Sequence, residues 1–153
     1  MIRGFIFLIS MIISIHAKAF NWSDLWQTPD QQAQNLMDKG QFSAATQLFE
    51  RIDWAAAAAY KAGKYDKAAQ GFAQLPTENG FYNQGNALAH LGKYEQAITA
   101  YDKALAINPA NQDALYNRKL VEELLKQSQQ NKDQQNKDQQ NKDQQNKDQQ
   151  NKD

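Results

Sequence analysis

Cysteine is absent from all 153 residues, which excludes disulfides, thiol chemistry and cysteine-ligated metals. Histidine is nearly as scarce: His16 lies in an N-terminal apolar segment and His90 far from it, so the two make no metal site and no histidine–nucleophile pair. Neither sign of charge is in excess, with 17 basic and 17 acidic residues. With no basic stripe and no polybasic patch, nothing in the composition points to nucleic acid or a charged membrane surface. Glu122 and Glu123 are adjacent on a helix and point in different directions, so they are not an acid–base pair. No glycine-rich phosphate loop occurs, because Gly85-Asn86 lies inside a helical pattern. No alternating pattern of strand length appears either. No catalytic residue, cofactor or metal is expected.

What is there is self-similarity. Three segments spell Gly-x-(Phe/Tyr)-x-x-Ala-x-x-x-(Phe/Tyr): Gly40-Phe42-Ala45-Phe49, Gly63-Tyr65-Ala68-Phe72 and Gly92-Tyr94-Ala97-Tyr101. Such recurrence marks a repeat architecture. In each copy the glycine ends one helix in a left-handed conformation and the first aromatic opens the next. The alanine and second aromatic, four apart, share a helical face on which the small residue admits a neighbouring helix. The three prolines fall at expected boundaries: Pro29 at a first helical position, Pro76 and Pro109 after helix ends. The pattern predicts helices over Pro29 to Lys39, with a Thr28/Gln31 capping box, and over Phe42 to Glu50 and Trp54 to Ala62. It continues with Tyr65 to Gln74, a helix around Phe81 to Leu91, Tyr94 to Ile107, and Gln112 to Lys126. The last has apolar Leu115, Leu120, Val121, Leu124 and Leu125 on one side, as a capping helix requires.

Both ends of the chain are compositionally distinct. Met1-Ile2-Arg3, the apolar run Gly4 to Ile15 and Ala17-Lys18-Ala19 are the parts of a signal peptide over residues 1–19. The run falls short of the roughly 20 residues that a membrane-spanning helix needs. A periplasmic location is therefore expected, with an uncleaved inner-membrane anchor as the alternative and membrane contact only in that case. Residues 129–153 are five copies of Gln-Gln-Asn-Lys-Asp with nothing apolar to bury, and are expected to form a disordered low-complexity tail. That leaves residues 20–128 as the folded helical domain. Trp22, Leu25 and Trp26 sit at i, i+3 and i+4, read as a short helix covering the first repeat or as a docking surface. Trp54 is expected in the core between the first two helix pairs.

Phe81, Gly85, Leu88, Gly92, Tyr94, Ala97, Tyr101, Ala104 and Pro109 stand at the offsets of a tetratricopeptide repeat (TPR) covering 78–111, which this segment resembles. Gln84 stands where that family usually has leucine. The resemblance implies an all-α, TPR-like stack of antiparallel helical hairpins with a C-terminal capping helix. The upstream glycines are 23 and 29 residues apart rather than 34, so the first two repeats are shortened.

A narrower resemblance is carried by Trp22-Ser23-Asp24-Leu25-Trp26 leading into Asp30-Gln31-Gln32-Ala33, by Trp54 with Ala57 and Tyr60, and by Tyr82-Asn83 with Gly85-Asn86-Ala87-Leu88-Ala89. These look like the TPR module of Bat proteins, bacterial envelope proteins of the aerotolerance type. In many relatives the module follows a von Willebrand A domain and a membrane segment in one polypeptide, and this sequence shows no von Willebrand domain. The resemblance implies a stand-alone or split version that binds protein on the periplasmic side of the inner membrane. Its partner would be a protein or peptide, including a membrane-bound von Willebrand A-domain protein. The alternative is an assembly factor acting through self-association or the N-terminal tryptophans.

Carried onto this sequence, the groove of a TPR stack is lined by Asn79, Tyr82, Asn83, Asn86, Ala89 and His90, with Tyr116, Asn117 and Leu120 from the last helix. The expected partner-binding residues are Tyr82, Asn83, Asn86, His90, Tyr116 and Asn117. Asn86 and Asn117 match two asparagines of the clamp that some relatives use for a C-terminal carboxylate, but the clamp's lysines are missing, with Tyr82 in one such place. Amides and tyrosines can instead hold a peptide backbone. The alternative for Tyr82 and Tyr116 is packing between helices, and for His90 a helix-end surface position.

Overall fold

In the computed structural model, residues 26–150 are described, and they form seven helices with no strand among them: α1 (Pro29–Asp38), α2 (Phe42–Leu48), α3 (Ile52–Lys61), α4 (Tyr65–Ala73), α5 (Glu78–His90), α6 (Tyr94–Ile107) and α7 (Gln112–Gln150). Each helix packs on the next, and α5 also meets α7. The architecture is three antiparallel hairpins, α1–α2, α3–α4 and α5–α6, closed by α7, as expected. The signal-peptide segment and Trp22 and Leu25 lie outside the described residues. No described helix is long and apolar enough to cross a membrane.

The recurring glycine does the same job three times. Gly40, Gly63 and Gly92 have φ of 71°, 71° and 69°, a region side chains disfavour. Around each, the glycine N–H and the following N–H reach back to two orphan carbonyls: Gly63 N to Tyr60 O at 3.0 Å and Lys64 N to Ala59 O at 2.9 Å, for example. This two-bond closure satisfies the helix end and turns the chain sharply into the next helix.

Most of the buried apolar residues are alanines, including Ala33, Ala45, Ala58, Ala68, Ala87, Ala97 and Ala104, all at 0% exposure. Small side chains let the helix axes approach, so the few bulky residues fill what remains. Tyr101 is the largest fully buried side chain, and Gly85 makes room for it: a Cβ at Gly85 would lie 2.6 Å from Tyr101 Cε1.

Several boundaries differ from the sequence-based expectation, each for a local reason. The Thr28 capping box forms as predicted, Gln31 N–H donating to Thr28 Oγ1 and Thr28 N–H to Gln31 Oε1. Asp30, however, also reaches forward 20 residues to accept the Glu50 N–H at 2.8 Å, so α2 ends at Leu48 and the chain turns into α3 at Ile52. Helix α3 starts at Ile52, two residues before Trp54, with Asp53 in its first turn paired with Arg51 at 2.6 Å. Helix α5 starts at Glu78, three residues earlier than Phe81, because Thr77 Oγ1 accepts the Gly80 N–H. Trp54 is not core: it is 39% exposed, set edge-on against Phe49 with the Arg51 guanidinium over its ring. Trp26 is 86% exposed in a turn and covers no repeat.

Helix α7 runs on through the repeats to Gln150, and residues 151–153 lie outside the described residues. From Gln129 to Lys137 every residue is exposed, so packing does not hold it. Gln and Lys are good helix formers, and Asp133 stands four residues before Lys137, the favourable order for helical neighbours.

Candidate functional site

A cleft of about 410 Å³ opens between α3, α5 and α7. Tyr60 comes from α3, Tyr82, Asn86, Ala89 and His90 from α5, Tyr101 from α6 beneath, and Asn117, Leu120, Val121 and Leu124 from α7. The helical period explains these sets: Tyr82, Asn86 and Ala89 are at i, i+4 and i+7, and Asn117, Leu120 and Leu124 at i, i+3 and i+7.

Two features fix the position of α7 and so the width of the cleft. Glu78 Oε1, at the start of α5, accepts from both Asn108 Nδ2 (2.9 Å) and Asn111 Nδ2 (2.7 Å), tying the α6–α7 turn to the third hairpin. Asn111 Oδ1 meanwhile accepts the Ala114 N–H at 2.8 Å and caps α7. On the outer side, Arg118 pairs with Asp102 of α6 at 2.6 Å and with Glu122 at 2.8 Å.

At the centre is a network of two phenols and two amides. Tyr101 Oη donates to Asn86 Oδ1 at 2.7 Å. Asn117 Nδ2 donates to the same oxygen at 2.9 Å and to Tyr82 Oη at 3.3 Å. Tyr82 is half-buried against the core, its ring 6.2 Å from that of Tyr101. At the other end of the cleft His90, the last residue of α5, stacks flat on Tyr65 at 4.3 Å and meets Tyr60 edge-on at 5.5 Å.

Of the six expected binding residues, Tyr82, Asn86, His90 and Asn117 line this cleft. Asn83 and Tyr116 do not. Each is one residue from a lining position, a turn of about 100° around the helix. Tyr116 is 69% exposed, so it neither packs between helices nor joins the cleft. Sequence reading missed Tyr60, Tyr101, Val121 and Leu124. Helical spacing from Asn117 and Leu120 would have found Leu124. Tyr60 and Tyr101 arrive from other helices and needed the fold.

Burial pushes the Tyr101 phenol well above its ordinary value of 10.0, with Tyr82 and Tyr60 adding to the rise. Tyr60 is raised in the same way, by burial first and then by Tyr65 and Tyr82. Below about pH 10 Tyr101 is neutral in both folded and unfolded chains and its ionisation contributes no slope. Above it the unfolded tyrosine ionises while the folded one does not, so stability falls with rising pH, by up to about 1.4 kcal/mol per pH unit for Tyr101. Urea midpoints measured between pH 9 and 11 should show this decline, and Tyr101→Phe should flatten it. Equal slopes in the two proteins would contradict the assignment.

The helices and their cleft define a TPR-like module. Residues 79–111 match the family model described as the tetratricopeptide repeat, nearly the window read from the sequence. Among solved structures the chain is similar to the second TPR domain of the human RPAP3 protein, determined by NMR in complex with the HSP70 peptide SGPTIEEVD. The likeness has 19% identity and a TM-score of 0.56, covering 62% of this chain and 92% of that one. At that identity it is a likeness of fold. No curated protein matches the chain with significance.

Proposed function

We propose that this protein is a non-enzymatic interaction module that takes a segment of a partner protein into the cleft between α3, α5 and α7. The observation that carries this reading is the cleft itself: an open surface combining apolar Leu120 and Leu124 with the polar Asn86, Asn117 and Tyr82. Apolar walls with a few fixed polar groups are what recognition sites present. A pre-formed surface also leaves most of the ordering entropy to the partner. The structural neighbour, a stack of the same fold, holds a peptide.

We extend the reading to the periplasmic side of a bacterial envelope, on the signal-peptide pattern of residues 1–19 and the Bat-like segments. The partner class those segments favour is a membrane-bound von Willebrand A-domain protein. A second reading, assembly through the N-terminal tryptophans, is favoured by the exposure of Trp26.

Photocrosslinking in the native cell distinguishes these. With a benzoylphenylalanine probe replacing Leu120, a discrete adduct to another protein is expected. A probe replacing Glu95, on the opposite face, should give none. Adducts only from position 26 or 95 would move the binding surface away from the cleft, and an adduct of position 120 with a second copy would make the chain an assembly factor.

A further inference from the structure

The hydrogen-bond network of the cleft dictates which atoms it leaves for a partner. Tyr101 is 1% exposed, and its hydroxyl has Asn86 Oδ1 as its acceptor. That bond fixes the Asn86 amide with its oxygen inward, and Asn117 Nδ2 confirms the orientation by donating to the same oxygen. Asn117 Nδ2 uses its second hydrogen on Tyr82 Oη. Beside the hydrogen that the Tyr82 hydroxyl keeps, two amide atoms then remain without a hydrogen bond among the described residues: Asn86 Nδ2, a donor, and Asn117 Oδ1, an acceptor. Among the described residues no buried side-chain nitrogen or oxygen lacks a partner, so both atoms must reach solvent. They belong to cleft-lining residues whose amides touch at 2.9 Å, and so lie side by side.

An adjacent donor and acceptor complement a carbonyl and an N–H. No lysine, arginine, aspartate or glutamate lines the cleft. A terminal carboxylate entering it would lose water without meeting a counter-charge, which is costly. A helical partner would offer no free main-chain groups except at its ends, since its own ladder uses them.

We propose, resting on the interaction reading above, that the cleft takes an extended, uncharged internal segment of another polypeptide through its main-chain amides. Asn86 Nδ2 donates to a carbonyl of that segment and Asn117 Oδ1 accepts from an N–H. An apolar side chain lies against Leu120 and Leu124. Tyr101 is the positioning residue, acting through Asn86 and touching no partner.

The test uses the full chain and two displayed random-peptide libraries, one held at both ends and one with free C-termini. The internally held library should enrich uncharged sequences with an apolar residue. Asn86→Asp keeps an oxygen for Tyr101 and Asn117 but turns the free donor into an acceptor. It should weaken the Kd of an enriched clone at least about tenfold, the effect of one hydrogen bond, while circular dichroism stays helical. Asn117→Leu, which removes the free acceptor, should do the same and serves as the second variant. Enrichment confined to free C-termini, enrichment of charged segments, or unchanged binding by both variants would overturn the proposal. Should neither library enrich, it is also overturned. In that case an adduct from position 120 would keep the interaction reading standing, and its absence would remove that reading as well.

Discussion

Tyr101→Ala should destabilise the domain by about 3–5 kcal/mol, the range for truncating a buried aromatic, and lower Tm by at least about 12 °C. The ring fills the space that Gly85 opens between α5 and α6, and its hydroxyl anchors the amide network joining α5 to α7. Alanine would leave a cavity among residues that are mostly alanine and cannot lean in to close it. The check is the cooperative melting transition followed by circular dichroism. Because α7 is exposed from Gln129 to Lys137, the gradual melting of that stretch must be separated from the cooperative step. A loss below about 1 kcal/mol would mean that the stack does not depend on this ring.

Gly80→Ala should come close to it, at about 3 kcal/mol, the upper end of the usual overpacking penalty. A Cβ built at Gly80 lies 2.2 Å from the Leu75 carbonyl oxygen and 2.7 Å from Leu75 Cβ. The first collision is with backbone, which cannot rotate aside as a side chain would. Leu75 is held in place by its own N–H bond to Phe72 O and by Pro76 after it. Relief requires moving the first turn of α5, where Thr77 caps and Glu78 holds the α6–α7 turn. Denaturant unfolding of the variant beside wild type measures the cost, and a midpoint within error of wild type would show that the turn yields freely.

The stack was legible in the sequence where local chemistry decides. Gly40, Gly63 and Gly92 each end a helix through a conformation that few other residues take, so their spacing displays the hairpins directly. The Thr28 and Gln31 pair is equally local. What stayed hidden depends on distant residues. Asp30 closes the α2–α3 turn from 20 positions away, and Glu78 gathers Asn108 and Asn111 from 30 and 33 positions on. The cleft follows the same division. Tyr82, Asn86 and Asn117 were readable because helical spacing places them on one face. Asn83 and Tyr116 were included although the same spacing turns them away. Tyr101 reads in sequence as one more core aromatic, and only the packed helices show that its hydroxyl sets the polarity of the site.

The long helix α7 makes the pentapeptide a unit of geometry. Each Gln-Gln-Asn-Lys-Asp added to α7 would advance its far end by about 7.5 Å and turn it by about 140° net of a full revolution. One unit gained or lost would therefore swing the far end to a different side of the stack as well as shift its reach. In a helix that begins with the cleft residues Asn117 and Leu120, copy number becomes a setting of direction.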